Sequence, residues 1–239
     1  MKWRPIGPAN MGGRVTDIDG IPGDPSTFYV SGADGGLFKT TNGGVTFQEL
    51  FTDQRAYSVG AVAIAPSDHN VLWLGSGEGD PRNSVGYGNG VYRSTDGGES
   101  WEHLGLEGTE RIKRIVVDPR DPDVACVCAL GKEWGANEDR GVFKTTDGGK
   151  NWRKVLYIDE DTGCSDLDID LSNPRNMYAG MWTFRRKPWR FDDGGKETAA
   201  YRSKDGGETW EKIVKGLPEG PMARIGIAVA QSQPNTVYM

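Results

Sequence analysis

The chain has 239 residues, with 28 Lys plus Arg against 34 Asp plus Glu, a net charge of −6, and 35 glycines, 13 prolines and eight tryptophans. That mildly acidic balance lacks the electrostatic footprint of a nucleic-acid binder, and no apolar run approaches the ~20 residues of a membrane-spanning helix. The length allows one large all-β domain or two small ones, and the composition fits many short strands joined by tight turns.

Three cysteines cannot all pair within the chain. Cys126 and Cys128 alternate on one strand, a poor disulfide geometry, so buried thiols are expected and a disulfide framework is not. Neither the cysteines nor His69 and His103 have zinc-site spacing, and nothing in the sequence asks for a metal or a cofactor. No apolar stretch follows Met1-Lys2-Trp3-Arg4-Pro5, so no export signal is visible.

In chain order, two kinds of hairpin alternate. The first kind spans 15–30, 59–74, 112–130 and 166–181, with turns at Pro22-Gly23-Asp24-Pro25, Pro66-Ser67-Asp68-His69, Pro119-Arg120-Asp121-Pro122 and Ser172-Asn173-Pro174. A fifth copy starts at Arg224-Ile225 and turns at Gln233-Pro234-Asn235. The second kind spans 36–47, 90–101, 141–152 and 200–210, at intervals of roughly 50–60 residues. In it a run such as Val91-Tyr92-Arg93-Ser94 carries strand propensity. Asn42, Asp96, Asp147 or Asp205 with the two glycines that follow makes a tight turn, and Phe47, Trp101, Trp152 or Trp210 opens the return strand. The acidic position reads as a turn lock rather than a metal or catalytic carboxylate, because Asn42 can lock a turn but makes a poor general acid.

Two hairpins per repeat give four antiparallel strands, one blade of a β-propeller. Trp3-Arg4-Pro5-Ile6 matches the outer strand of a blade, and Thr236-Val237-Tyr238-Met239 matches a second strand. The expectation is one all-β propeller segment over 1–239, about four complete blades with parts of a fifth. It would be an open ring, a piece of a larger propeller or one closed by another chain.

The Ser/Thr-x-Asp-Gly-Gly-x-x-Trp wording resembles the Asp-box, or bacterial neuraminidase repeat, of propellers found in sialidases, xyloglucanases and sortilin-type receptors. Trp3-Arg4-Pro5-Ile6-Gly7-Pro8, Gly77-Glu78-Gly79-Asp80-Pro81-Arg82-Asn83 and Trp134-Gly135-Ala136-Asn137-Glu138-Asp139-Arg140-Gly141 are similar to large bacterial Asp-box proteins labelled glycosyl hydrolase-like. The resemblance implies the fold and leaves function open. It also implies a secreted or periplasmic setting, since such proteins usually carry an export signal upstream, with Met1 then inside a longer parent.

Strand order places the Asp-box turns on one rim and the loops between second and third strands on the other. The blade-one loop is short (Ser31-Gly32-Ala33-Asp34-Gly35). The others carry Glu78, Asp80, Arg82, Asn83 and Tyr87; then Glu133, Trp134, Asn137, Glu138 and Arg140; then Trp182, Arg185, Trp189 and Asp192. Insertions confined to one face of a repeat protein mark its binding face. Aromatics interleaved with arginines and carboxylates suit a sugar or a peptide; the plainer alternative is that Trp134, Trp182 and Trp189 only pack loops onto blades. A glycoside hydrolase needs two carboxylates ~5–5.5 or ~6.5–9.5 Å apart. Glu78, Asp80, Glu133 and Glu138 are the candidates, with Asp192 as an outside choice. No residues carry over the sialidase or xyloglucanase machinery, and no phosphate loop or nucleophile elbow occurs.

In the innermost strands Asp166, Asp168 and Asp170 share one side, Asp17 and Asp19 occupy the same columns, and Arg114 stands there in blade three. These form a charged channel wall, solvated or arginine-paired. The expected function is a binding or scaffold module for a peptide, protein or glycan, with no nucleic-acid partner. A polysaccharide-directed glycoside hydrolase is the alternative.

Overall fold

The computed structural model describes residues 14–239; the strand expected at Trp3-Arg4-Pro5-Ile6 lies outside them. The chain is all-β, built of four-stranded antiparallel sheets. Blade one is β1 (Val15–Gly20), β2 (Phe28–Gly32), β3 (Gly36–Thr40) and β4 (Gln48–Leu50). Blade two is β5 (Val59–Ile64), β6 (Leu72–Ser76), β7 (Val91–Ser94) and β8 (Glu102–His103). Blade three is β9 (Ile112–Val117), β10 (Ala125–Ala129), β11 (Gly141–Thr145) and β12 (Arg153–Leu156). Blade four is β13 (Thr162–Ile169), β14 (Met177–Lys187), β16 (Ala199–Ser203) and β17 (Glu211–Lys212), with β15 (Arg190–Asp193) pairing the far end of β14 as a projecting hairpin. A fifth sheet holds β18 (Ala228–Val229) and β19 (Val237–Tyr238).

The apolar residues are buried between blades. Tyr29, Leu37 and Leu50 of blade one meet Val62, Leu72 and Tyr92 of blade two. Trp73 and Val91 meet Ile112, Val127 and Phe143, and Val116, Cys128 and Val142 meet Cys164, Leu167 and Met177. Each seam receives the Asp-box aromatic of its later blade: Trp101, Trp152 and Trp210 pack on the three clusters in turn. Phe47 differs. It is 48% exposed and only edges onto Phe28, because no described blade precedes blade one to supply a seam.

In every box the acceptor closes its own turn. Asp96 accepts from Ser94 Oγ (2.7 Å), Ser100 N (2.9 Å) and Ser100 Oγ (2.5 Å). Asn42 keeps the same pattern, taking the Thr46 amide at 2.9 Å. Gly97 and Gly98 sit at φ 72° and 96°, where a side chain would be strained.

Each complete blade's innermost strand carries a bulge at one equivalent place, skipping Thr16, Gly60, Lys113 and Ser165. The bulged residue abuts the next blade: Thr16 donates to Val59 O (2.6 Å) and Ser165 to Ile225 O (2.9 Å). At Gly60 a Cβ would stand 2.1 Å from Ile112 O, so only glycine fits that seam.

The cysteine expectation is corrected. Cys128 on β10 and Cys164 on β13 form a disulfide with Cα atoms 5.0 Å apart, and Cys126 alone is free and buried. Neighbouring cysteines on one strand indeed do not pair; the partner comes from the adjacent blade, which only the stacking brings close.

Candidate functional site

The innermost strands β1, β5, β9, β13 and β18 follow one another around a channel. Their channel-facing edges carry amides that no further strand satisfies, and aspartates of the preceding blade take that role at β5 and β18. Asp17 Oδ2 accepts from Val62 N at 3.2 Å and Asp19 Oδ2 from Ile64 N at 2.7 Å. Asp166 and Asp168 repeat this on Ile227 N (2.8 Å) and Val229 N (2.7 Å). Burial pushes Asp17, Asp19 and Asp168 above the ordinary carboxylate range, against the opposing pull of these amides and Arg114. Arg114 reaches across the channel to Asp17 (2.9 Å) and Asp166 (3.4 Å). Burial lowers its pKa, but the two carboxylates outweigh that and raise it. Asp170 belongs elsewhere: it accepts Ser172 N (2.9 Å) and Asn173 N (3.1 Å) and locks the β13–β14 turn. Below Arg114 the channel opens into a cavity of about 420 Å³ walled by Ile18, Ile64, Ile169 and Leu171.

The loop face lies at the opposite rim from the Asp-box turns, and its carboxylates divide into engaged and open groups. Glu78 is fully buried and takes both arms of Arg14, at 2.7 and 2.6 Å. Arg14 also lies 3.7 Å from Asp34, a half-exposed carboxylate of the short blade-one loop not among the sequence candidates. Glu133 is fully buried against Arg111, whose guanidinium also donates to Gly131 O at 3.0 Å. Burial, then the nearby Arg140 charge, push Arg111 down to about 10. Asp80 bridges blades, bound to Lys113 (3.2 Å) and Arg224 (2.5 Å). Burial pushes its carboxyl up, but those two cations outweigh it and hold it below the usual range. Glu138 is exposed, and Asp192 is held within its own hairpin by Lys187 and Arg190.

The other face residues separate the same way. Arg140 is buried, donating to Lys132 O (2.9 Å), Gly135 O (3.1 Å) and Asp161 O (3.1 Å) beneath the Phe184 ring. Asn137 is buried, accepting from Lys132 N at 3.3 Å. Trp182 stacks on Phe184 at 4.7 Å and donates to Asp193 at 2.9 Å, anchoring the β14–β15 hairpin. Arg185 pairs with Asp161. These side chains build the loops. Arg82, Asn83, Tyr87, Trp134 and Trp189 are exposed, with Trp189 at 82% on the hairpin tip.

Sequence reasoning missed Tyr57 and Tyr157, which lie in connections between blades rather than within them. Among the described residues the exposed aromatics are Phe47, Tyr57, Tyr87, Trp134, Tyr157, Trp189 and Tyr238. All but Phe47 and Tyr238 stand on the loop face. Among the described residues no group of three or more His, Cys, Asp or Glu is placed to hold a metal, and no helix is long and apolar enough to cross a membrane.

Xyloglucanase Xgh74A of Acetivibrio thermocellus is 27% identical over 202 residues, covering 76% of this chain and 23% of its own length. A xyloglucanase of Paenibacillus sp is 26% identical over 265 residues, covering 99% and 24%. The chain thus spans about a quarter of the length of the curated relatives it matches. The crystal structure of the GH74 xyloglucanase from Xanthomonas campestris matches with a TM-score of 0.65 at 21% identity, over 91% of this chain and 32% of that one. An ancestral GH74 enzyme gives a TM-score of 0.65 at 18% identity, over 90% and 27%. At these identities the structural likeness concerns the fold. The model of the Sortilin-Vps10 family, described as sortilin, neurotensin receptor 3, matches residues 89–234, more than half of the chain. With its four Asp-box blades, the chain belongs to the Sortilin-Vps10 family of Asp-box-type propellers.

Proposed function

We propose that this chain is a glycan-binding propeller module that takes a β-glucan-type chain on its loop face. The observation that carries the reading is the gathering of the exposed aromatics Tyr57, Tyr87, Trp134, Tyr157 and Trp189 on that face. Their rings are large apolar platforms on rigid loops, the surface that sugar C–H faces stack against. The xyloglucanase relatives support a glucan as the ligand class. Affinity electrophoresis through gels containing soluble xyloglucan tests the reading. Native chain should be retarded, and Trp134→Ala and Trp189→Ala should each lose most of the retardation with unchanged circular dichroism. Full mobility of the native chain in xyloglucan and in mixed-linkage β-glucan would sink the proposal.

The second reading, hydrolysis by this face, is favoured by the same relatives. Against it, two of the candidate carboxylates, Glu78 and Glu133, are sealed in arginine pairs; Asp34, Asp80 and Glu138 are among those that reach solvent. Release of reducing ends from xyloglucan that disappears in Asp34→Asn or Glu138→Gln would support catalysis over binding alone.

A further inference from the structure

The hairpin that projects from blade four concentrates positive charge on an acidic chain. Residues 184–193 hold Arg185, Arg186, Lys187 and Arg190 against Asp192 and Asp193, whereas the whole chain carries −6. The strands β14 and β15 are joined by the turn Pro188-Trp189, and Lys187 pairs with Arg190 across it.

Strand register sorts these side chains between two faces. Arg186 and Phe191 pair on one face, where the guanidinium lies 5.2 Å from the ring centroid. Phe184 and Asp193 share that side and are turned onto Trp182, which stacks on Phe184 and donates to Asp193. The other face carries Arg185, Lys187, Arg190 and Asp192. Arg185 is taken by Asp161. Two cations therefore remain at the tip, Lys187 and Arg190, sharing the carboxylate of Asp192. Arg190 is 69% exposed, and Trp189 beside it is 82% exposed.

The tip is short of one negative charge. Asp192 shows that a carboxylate fits between the two cations, since it lies 3.6 Å from Lys187 while paired with Arg190. A guanidinium binds carboxylate through its planar fork, and two cations can hold a second carboxylate. Other aromatics of the loop face stand in different company. Tyr157 has Lys154 over its ring at 4.5 Å but Glu138, Asp159 and Glu160 near it. The groove of Tyr57 and Tyr87 holds Arg55 and Glu107, one charge of each sign. A sugar stacked on Trp189 meets cations at its rim, and a carboxylate on that sugar offsets them.

We propose that the hairpin tip selects acidic glycans: the unit stacked on Trp189 is a uronate whose carboxylate meets Lys187 and Arg190. This inference rests on the glycan reading and adds to it the charge of the sugar.

The test is isothermal titration at about 20 mM salt with cellohexaose and with its C6-oxidised form, in which glucose units become glucuronate. The oxidised form should bind about two- to fivefold tighter, the scale of an exposed ion pair, and the gain should vanish at about 1 M salt. On a chain of net charge −6, long-range electrostatics alone would oppose the acidic sugar, so a gain has to come from local cations. Lys187→Gln/Arg190→Gln should erase the gain and leave the affinity for neutral cellohexaose unchanged. Asp192→Asn, which frees both cations, should enlarge it. Lys150→Gln, at an exposed lysine of the opposite rim, should change nothing. Trp189→Ala should lose most of both affinities, and near-ultraviolet circular dichroism checks that each variant is folded. Equal affinity for the two oligosaccharides would overturn the assignment while leaving the glycan reading in place. So would a gain that survives Lys187→Gln/Arg190→Gln, one that falls as far in Lys150→Gln, or affinities unaltered in Trp189→Ala. Binding of neither oligosaccharide, together with full mobility in the xyloglucan gels, would remove the glycan reading and this inference with it.

Discussion

Asp96 and Asn42 do the same mechanical task with different charge, and the difference has a consequence in acid. The Ser100 hydroxyl and amide hold the Asp96 carboxyl at about 2, and Asn151 does the same for Asp147. Asp205 lies lower still, held by Thr209. A folded pKa below the unfolded carboxylate value of about 3.9 stabilises the fold above that value. The contribution is lost as pH falls through the folded pKa, so the window lies between about pH 4 and pH 2. Thermal melts of native chain should fall steeply across that window, and Asp96→Asn should flatten the fall while leaving the melt at pH 7 nearly unchanged. Parallel pH curves for the two proteins would contradict the lock. This feature was legible in the sequence because donor, acceptor and glycines fall within seven residues, from Ser94 to Ser100. Glu78 and Glu133 were not legible as structural residues. Their partners Arg14 and Arg111 stand 64 and 22 residues away, and only the fold reveals that each carboxylate is sealed from solvent.

At the scale of elements, strands and hairpins follow from period-two alternation and turn chemistry, so the blade plan was readable. The bulges at Thr16, Gly60, Lys113 and Ser165 and the contact between β10 and β13 were not, because they arise where one sheet presses on the next. The Cys128–Cys164 bond is the covalent form of that contact. It closes a loop of 36 residues, and chain-entropy arguments put its stabilisation at about 4 kcal/mol. Thiol titration of the chain unfolded without reductant should find one free thiol, Cys126. The Cys128→Ser/Cys164→Ser pair should lower the unfolding free energy from denaturant titration by an amount of that order. Three free thiols would remove the bond from the account. The free Cys126 thiol is pushed up to about 12 by burial, so it should stay unmodified until the chain unfolds.

Over the whole molecule, the self-satisfied Asp-box turns and the proposed recognition loops occupy opposite rims. The Asp-box rim satisfies its own turns and leaves little for a ligand, whereas the loop rim uses Glu78, Glu133, Arg140 and Trp182 to brace loops that expose aromatics. The fold class was legible from the repeat, and so was the side on which the insertions lie. Which side chains meet solvent was not: Trp134, Trp182 and Trp189 look alike in sequence, but Trp182 is 3% exposed and Trp189 is 82% exposed.

The most direct measurement is hydrogen–deuterium exchange of the native chain with and without a xyloglucan oligosaccharide. Slower exchange in the loops 77–90, 131–140 and 182–198, with the four Asp-box turns unchanged, is the result this account predicts. Protection at the Asp-box turns or along the channel strands, with the loops unaffected, would contradict it.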